Sequence, residues 1–146
     1  MNLYVDSSAL VKHFHEEQGS EKVTELLNDA SNEIWISELV IIEFYSALFR
    51  RFRNKEIDEE ELETAIQGFE EYIKIVIIEP LRPTIVKEAE RLLKQYGRNY
   101  GLRTLDALQL GTFNLIAKED WTFLGADTKF NGLLRDMNFS VINPMD

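Results

Sequence analysis

Four acidic residues lie where a carboxylate is costly to place: Asp6, Glu43, Asp106 and Asp127. The first and the last each follow a short apolar segment directly, and the other two lie within apolar helical stretches. A buried, unpaired carboxylate costs several kcal/mol, so each needs a cation, a metal ion or a proton as partner. Together, four carboxylates would bind a hard divalent cation, and such an ion supports hydrolysis of phosphodiesters.

Each acid also has a structural alternative when it is taken singly. Asp6 and Asp127 stand between a strand and a helix, where aspartate often caps the helix. Glu43 could form a buried ion pair with an arginine. Asp106 could lie in the first turn of a helix that starts near Thr104, where the helix dipole favours an acid.

The four acids taken together favour a metal site. No basic residue stands beside them in the sequence, so the carboxylates would repel one another unless a cation lay between them. The chain has no cysteine, and its only histidines are the neighbours His13 and His15. Ligands that are all oxygen indicate Mg²⁺ or Mn²⁺, as one ion or two. The chemistry that this predicts is that of a nuclease.

The elements that must position these acids alternate between short apolar strands and amphipathic helices, which predicts an α/β fold with a parallel sheet covered on both sides. The predicted strands are 2–6, 33–37, 75–78, 121–126 and 139–142. The predicted helices are 9–15, 20–28, 38–53, 58–73, 84–96, 103–118 and 128–136, with Gly97 as the end of the fifth. In such a sheet, ligands bind at the carboxyl ends of the strands, where Asp6 and Asp127 stand.

Composition fits one soluble domain spanning residues 1–146, with 45% hydrophobic residues and a net charge of −10. Most of that charge comes from the window 56–71, which holds acids and no base, so a polyanionic substrate is not excluded. Asp6 comes too early for a signal peptide, and no apolar run has the length of a membrane span. We expect a cytoplasmic protein without membrane contact.

Four blocks of sequence, in this order, carry a family resemblance: 4–12 (YVDSSALVK), 37–48 (SELV running into EFYSAL), 102–110 (LRTLDALQL) and 123–127 (FLGAD). On these blocks the chain resembles PIN-domain ribonucleases over nearly its whole length, most closely the VapC-type toxins of toxin–antitoxin pairs. The resemblance implies a Rossmann-like sheet of five parallel strands in the order 3-2-1-4-5.

The resemblance also implies a site and partners. The family's acidic quartet falls on Asp6, Glu43, Asp106 and Asp127, and its small hydroxyl falls on Ser8. The activity implied is that of an Mg²⁺- or Mn²⁺-dependent endoribonuclease, in which metal-activated water leaves a 5′ phosphate and a 3′ hydroxyl. A homodimer is implied, together with an antitoxin that covers the helix around Glu43 and plugs the acidic pocket.

The sequence departs from the family at two places. Gly111 stands where alanine is common, which we expect to loosen that helix slightly. No further acid follows Asp127 within the next few residues, which leaves room for a weaker second metal site or a single-metal mechanism.

Basic side chains are candidates for contacts with an RNA backbone. Their alternatives are plain solvation or pairing with Glu56 and Asp58. The candidates are Lys12, Arg50, Arg51, Arg53 and Lys129.

Other functions remain open at this point. A haloacid-dehalogenase-like phosphatase needs a second aspartate where Ser8 stands, and a phospho-receiver domain needs an acid pair near the first strand. A PIN-like scaffold without catalysis is the main alternative.

Overall fold

A computed structural model describes all of residues 1–146 and shows strands and helices alternating along the chain. The strands are β1 Asn2–Val5, β2 Glu33–Ser37, β3 Ile77–Glu79, β4 Trp121–Leu124 and β5 Ser140–Ile142. The helices are α1 Ser7–Phe14, α2 Ser20–Asn28, α3 Glu38–Arg53, α4 Glu59–Tyr72, α5 Pro83–Tyr100, α6 Thr104–Ile116 and α7 Thr128–Asp136. No helix is both long enough and apolar enough to cross a bilayer.

The five strands form one parallel sheet in the order β3-β2-β1-β4-β5. Strand β1 lies at the centre, with Leu3 beside Ile34 of β2 and beside Thr122 of β4. The chain reverses its direction of winding between β1 and β4, and that reversal opens a crevice at the carboxyl ends of the strands. The predicted fold class and strand order are therefore confirmed.

Side chains of the central strand alternate between two apolar cores, because successive residues of a strand point to opposite faces. Leu3 and Val5 pack with α1, α2, α3 and α4 on one face. Tyr4 packs with α5, α6 and α7 on the other face, against Phe113 and Phe123. Both faces of the central strand are covered, so its residues Leu3, Tyr4 and Val5 are all buried, and the edge that bears the acids is left for a ligand.

Many predicted boundaries differ from the structure by one or two residues, and the end of α5 differs by four. Strand β3 is Ile77–Glu79, and it starts two residues later than predicted because the backbone turns at 73–76 after α4. Helix α5 continues through Gly97 to Tyr100 and ends at Gly101, which has φ of 62°. Glycine adopts this left-handed conformation without a steric penalty, so Gly101 is the residue that ends the helix.

Gly111 lets α5 and α6 approach each other closely. A β-carbon at this position would lie 3.3 Å from the amide nitrogen of Ala89 and 3.3 Å from the carbonyl oxygen of Ile85. Both neighbours are backbone atoms, which cannot rotate away. The family's alanine would therefore press on the first turns of α5, and the glycine has a packing role here.

Candidate active site at the carboxyl edge of the sheet

The fold brings the four acids to one edge of the sheet from four separate elements. Asp6 directly follows β1, and Asp127 lies three residues after β4. Glu43 comes from the second turn of α3, and Asp106 comes from the first turn of α6. Coulomb repulsion from neighbouring carboxylates raises the pKa of Asp6, Glu43 and Asp106, as is expected where acids share one edge of a sheet.

Asp6 is the deepest of the four, with only 6% of its surface exposed. Its amide donates a hydrogen bond to the carbonyl of Leu124, so the chain beyond β1 stays aligned with β4. Its carboxylate makes no capping bond to α1, although its own carbonyl accepts from the first turn. Burial raises the pKa of Asp6 to about 6, with further repulsion from Asp106 and Asp127.

Ser8 joins the two strand ends that carry aspartates. Its hydroxyl donates to Oδ2 of Asp6 at 2.8 Å and accepts from the backbone amide of Ala126 at 3.0 Å. This hydrogen bond to the charged form of Asp6 works against the burial that raises its pKa. Ser8 therefore orients Asp6 while it holds the loop before Asp127 in place.

Glu43 is half-buried and forms no ion pair, so the arginine alternative does not hold. Its Oε1 accepts a hydrogen bond of 2.6 Å from Nε2 of Gln109 on α6. The pKa of Glu43 is raised to about 7, chiefly by burial and also by repulsion from Asp6 and Asp106. The hydrogen bond from the amide of Gln109 opposes this rise.

The remaining two acids lie nearer to solvent. Burial raises the pKa of Asp106, Asp127 adds to the rise, and the guanidinium of Arg103 opposes it. Asp127 is exposed and caps α7, since its Oδ1 accepts from the amide of Phe130 at 3.0 Å. The capping alternative is thus correct for Asp127, which also lines a cleft at this edge of the sheet.

The donor set suits a hard divalent cation, because it consists of carboxylates and none of them belongs to an ion pair. As the side chains are placed, no three acids or histidines anywhere in the chain form a group that could hold a metal ion. Ser8, Gln109 and the α7 backbone each engage one carboxylate of the set. Coordination of an ion by three of these residues would therefore require side-chain rotations.

Two of the acids, Glu43 and Asp127, line a cleft of about 570 Å³ between α1, α3 and the loop after β4. Lys12, Arg50 and Arg51 line the same cleft, one to two turns further along α1 and α3 than Ser8 and Glu43. A second, smaller hollow of about 50 Å³ lies on the far side of Asp127, bordered by Asp106, Arg103 and Lys129. The acidic centre thus lies between two groups of basic side chains.

The basic candidates divide into paired and free side chains. Lys12 is buried, and its Nζ lies 3.0 Å from Glu17. Arg51 binds the same carboxylate through Nε at 3.1 Å and Nη2 at 3.2 Å, so its partner is Glu17 rather than Glu56 or Asp58. For Lys12 and Arg51, the alternatives of plain solvation or pairing with Glu56 and Asp58 therefore do not hold, because both pair with Glu17. The exposed candidates without an ion pair are Arg50, Arg53 and Lys129.

Comparison with known proteins identifies the family. The family model described as the PIN domain matches residues 3–132. This chain belongs to the PIN domain family. Among curated proteins, none matches this PIN domain by sequence.

Solved structures of low sequence identity share the PIN domain fold of this chain. VapC20 of Mycobacterium tuberculosis, described as a toxin that cleaves the sarcin–ricin loop, matches with a TM-score of 0.66 and 15% identity, over 90% of this chain and 94% of its own. FitAcB from Neisseria gonorrhoeae has a TM-score of 0.68 and 13% identity, over 97% of both chains. VapBC2 from Rickettsia felis, bound to a DNA fragment from its promoter, has a TM-score of 0.65 and 16% identity, over 98% of both chains.

Three residues that the sequence analysis gave no role contact the site or its wall. Gln109 and Tyr4 lie behind Glu43, and Glu17 pairs with both Lys12 and Arg51. Gln109 carried a signal, since an amide within the apolar stretch LDALQL needs a buried partner as much as an acid does. Nothing in the sequence indicates the role of Glu17, because an acid in a loop is ordinarily solvated.

Proposed function

We propose that this PIN domain is a divalent-metal-dependent endoribonuclease of the VapC type, the toxin of a toxin–antitoxin pair. One observation carries the proposal: four carboxylates from distant parts of the chain converge at the switch point of the sheet with no cation paired to them. Folding uncompensated charge into a cleft is unfavourable in itself, so the arrangement is explained by a ligand that is positive. The structural likeness to VapC20 supports RNA as substrate.

In this proposal Asp6, Asp106 and Asp127 hold Mg²⁺ or Mn²⁺, as one ion or two, and Glu43 ligates an ion or orients a water. The ion would supply a water of lowered pKa and positive charge beside the scissile phosphate. Ser8 keeps Asp6 in position through the hydrogen bond from its hydroxyl to Oδ2. Attack by water, without use of the ribose 2′ hydroxyl, leaves a 5′ phosphate and a 3′ hydroxyl.

The distribution of charge supports a polyanionic substrate. The cleft wall formed by Lys12, Glu17 and Arg51 retains a net positive charge after pairing. Arg50 adds a free cation on the same wall, and Lys129 stands on the other side of the acids. An RNA strand that crosses the cleft would meet basic groups on both sides of the cleavage site, which holds the phosphate over the acids.

The proposal includes protein partners, a second copy of the chain and an antitoxin. Structural neighbours include VapBC2 and a toxin–antitoxin complex from Klebsiella pneumoniae. On α3, Ile42 is 68% exposed at the mouth of the cleft, and Phe49 is exposed two turns further on. Apolar side chains beside the acids suit an antitoxin segment that covers the cleft and brings a lysine or arginine into it.

Cleavage of RNA by the purified protein, free of antitoxin, tests the proposal. Mixed total RNA is incubated with Mn²⁺ or Mg²⁺, with EDTA in parallel, and product ends are identified by ligation that requires a 5′ phosphate. The variants are Asp6→Asn, Glu43→Gln and Asp106→Asn, and Asp58→Asn, at an exposed helix cap, is the matched control.

The proposal expects cleavage that is lost with EDTA and in each of the three site variants, and that is retained in Asp58→Asn. Cleavage that survives EDTA and all three variants would place the activity elsewhere. A folded wild-type protein that binds Mn²⁺ but cuts no RNA would favour a scaffold.

A further inference from the structure

Three side chains form a chain of hydrogen bonds that leads from the core to the candidate site. The hydroxyl of Tyr4, on β1, donates to Oε1 of Gln109 at 2.6 Å. Nε2 of Gln109, on α6, donates to Oε1 of Glu43 at 2.6 Å. Tyr4 and Gln109 are fully buried, and the three residues come from three different elements.

The direction of the chain is fixed by the chemistry of its members. An ionised carboxylate only accepts hydrogen bonds, so Gln109 must present its NH₂ group to Glu43. The carbonyl oxygen of that amide then points the other way, and it requires a donor. Tyr4 supplies that donor with its hydroxyl. If the amide of Gln109 were reversed, its oxygen would face the ionised carboxylate, and the hydrogen bond to Glu43 would be lost.

The surroundings of Gln109 argue that the amide is there for this contact. Its neighbours on α6 are Ala107, Leu108 and Leu110, and its side chain lies wholly out of water. Burial of an amide is unfavourable unless it is fully hydrogen-bonded, so an apolar residue would fill the same space at lower cost. The same part of α6 thus places Asp106 at the acidic centre and holds Glu43 of α3 there through Gln109.

We propose that Gln109 is a positioning residue, which holds the Glu43 carboxylate by one oxygen so that the other faces the acidic centre, with Tyr4 fixing the orientation of the Gln109 amide. The inference rests on the proposed function for the role of Glu43. It predicts that the relay contributes to affinity for the divalent ion through Glu43 alone.

Mn²⁺ affinity, measured by isothermal titration calorimetry on the whole chain, tests the relay independently of RNA cleavage. Gln109→Met removes both the donor and the acceptor at similar volume, and Tyr4→Phe removes only the hydroxyl. Asn114→Ala is the matched control, because it removes a half-buried hydrogen bond to Glu88 from a position further along α6. Circular dichroism melting curves show that each variant is folded.

We expect Gln109→Met to bind Mn²⁺ about tenfold more weakly, the size of effect that follows when a hydrogen bond to a charged group is lost. Tyr4→Phe should show a smaller loss in the same direction, and Asn114→Ala should bind like wild type. In the Glu43→Gln background, Gln109→Met should cause no further loss, since its effect passes through Glu43.

Gln109→Met that binds Mn²⁺ like Asn114→Ala would overturn the inference, and so would a loss that adds in full to that of Glu43→Gln. Wild-type protein that binds Mn²⁺ without cutting RNA would refute the proposed function and leave the relay to be judged by affinity. Wild-type protein that binds no Mn²⁺ would refute both.

Discussion

Replacing Asp6 by asparagine should stabilise the metal-free protein at neutral and alkaline pH. Burial raises the pKa of Asp6 from its ordinary 3.8 to about 6, so Asp6 ionises less readily in the folded protein than in the unfolded chain. A rise of about two pKa units corresponds to about 3 kcal/mol of lost stability once both states are ionised. Desolvation of the new amide offsets part of the gain, so we expect Asp6→Asn to unfold with a free energy about 1–2 kcal/mol above wild type at pH 8.

The sign of the pH dependence follows from the same shift. The penalty is fully present above the folded pKa of about 6 and fades as the pH falls through it towards 3.8. Wild type should therefore gain stability relative to Asp6→Asn between pH 8 and pH 4.5. Glu43, whose pKa is raised to about 7, contributes a pH dependence of the same sign in both proteins. This contribution is smaller in Asp6→Asn, because the repulsion from Asp6 is removed.

Urea denaturation in EDTA, followed by circular dichroism at pH 8 and pH 4.5, measures both effects. Asp58→Asn serves as control, because asparagine also caps a helix and the site is exposed, so its change should stay within about 0.5 kcal/mol. Added Mn²⁺ should stabilise wild type and reverse the order of the two proteins. An Asp6→Asn protein that is less stable than wild type at pH 8, or a difference independent of pH, would refute the reasoning.

Three further changes have expected outcomes in urea denaturation. Gly111→Ala should lower the free energy of unfolding by about 1–2 kcal/mol, because it forces α5 and α6 apart. Gly97→Ala, with open space around it, should raise the free energy of unfolding by about 0.5–1 kcal/mol. Equal effects of the two changes would contradict the close packing at Gly111. Ser8→Ala should lower the free energy of unfolding by about 1–2 kcal/mol and raise the pKa of Asp6 further. The ¹³C chemical shift of the Asp6 carboxyl group, followed against pH, measures this pKa. An unchanged pKa would count against the hydrogen bond from Ser8. Arg51→Met should lower the free energy of unfolding by about 1 kcal/mol, and a double-mutant cycle with Glu17→Gln should show coupling between the two residues.

The sequence predicts most of the fold because its periodicities are strong. Strand β1 and helix α3 have the predicted character, since the apolar runs 3–5 and 39–42 admit few other solutions. Strand β3 lies at the sheet edge, where fewer neighbours fix its ends, and its boundaries shift by two residues. Gly97 resembles a helix end in sequence, but only the backbone angle at Gly101 determines which glycine ends the helix.

For the site, the sequence predicts the convergence of the acids but not what holds each of them. Glu43 is recognised because its helical neighbours are apolar, yet its hydrogen-bond partner stands 66 residues away, and no local pattern connects the two. The pairing of Lys12 with Glu17 is not predicted, for a similar reason. A lysine is ordinarily exposed, and only the fold reveals that Glu17 and the wall of α3 enclose it.

The bond between Ser8 and Ala126, which joins residues 118 positions apart, has a consequence for synthesis of the chain. Strand β1 is synthesised well before its neighbour β4. Until β4 has been made, Asp6 has no strand beside it on that side, and Asp127 follows β4 in the sequence. A nascent chain that has not yet reached β4 and Asp127 therefore carries an incomplete acidic centre.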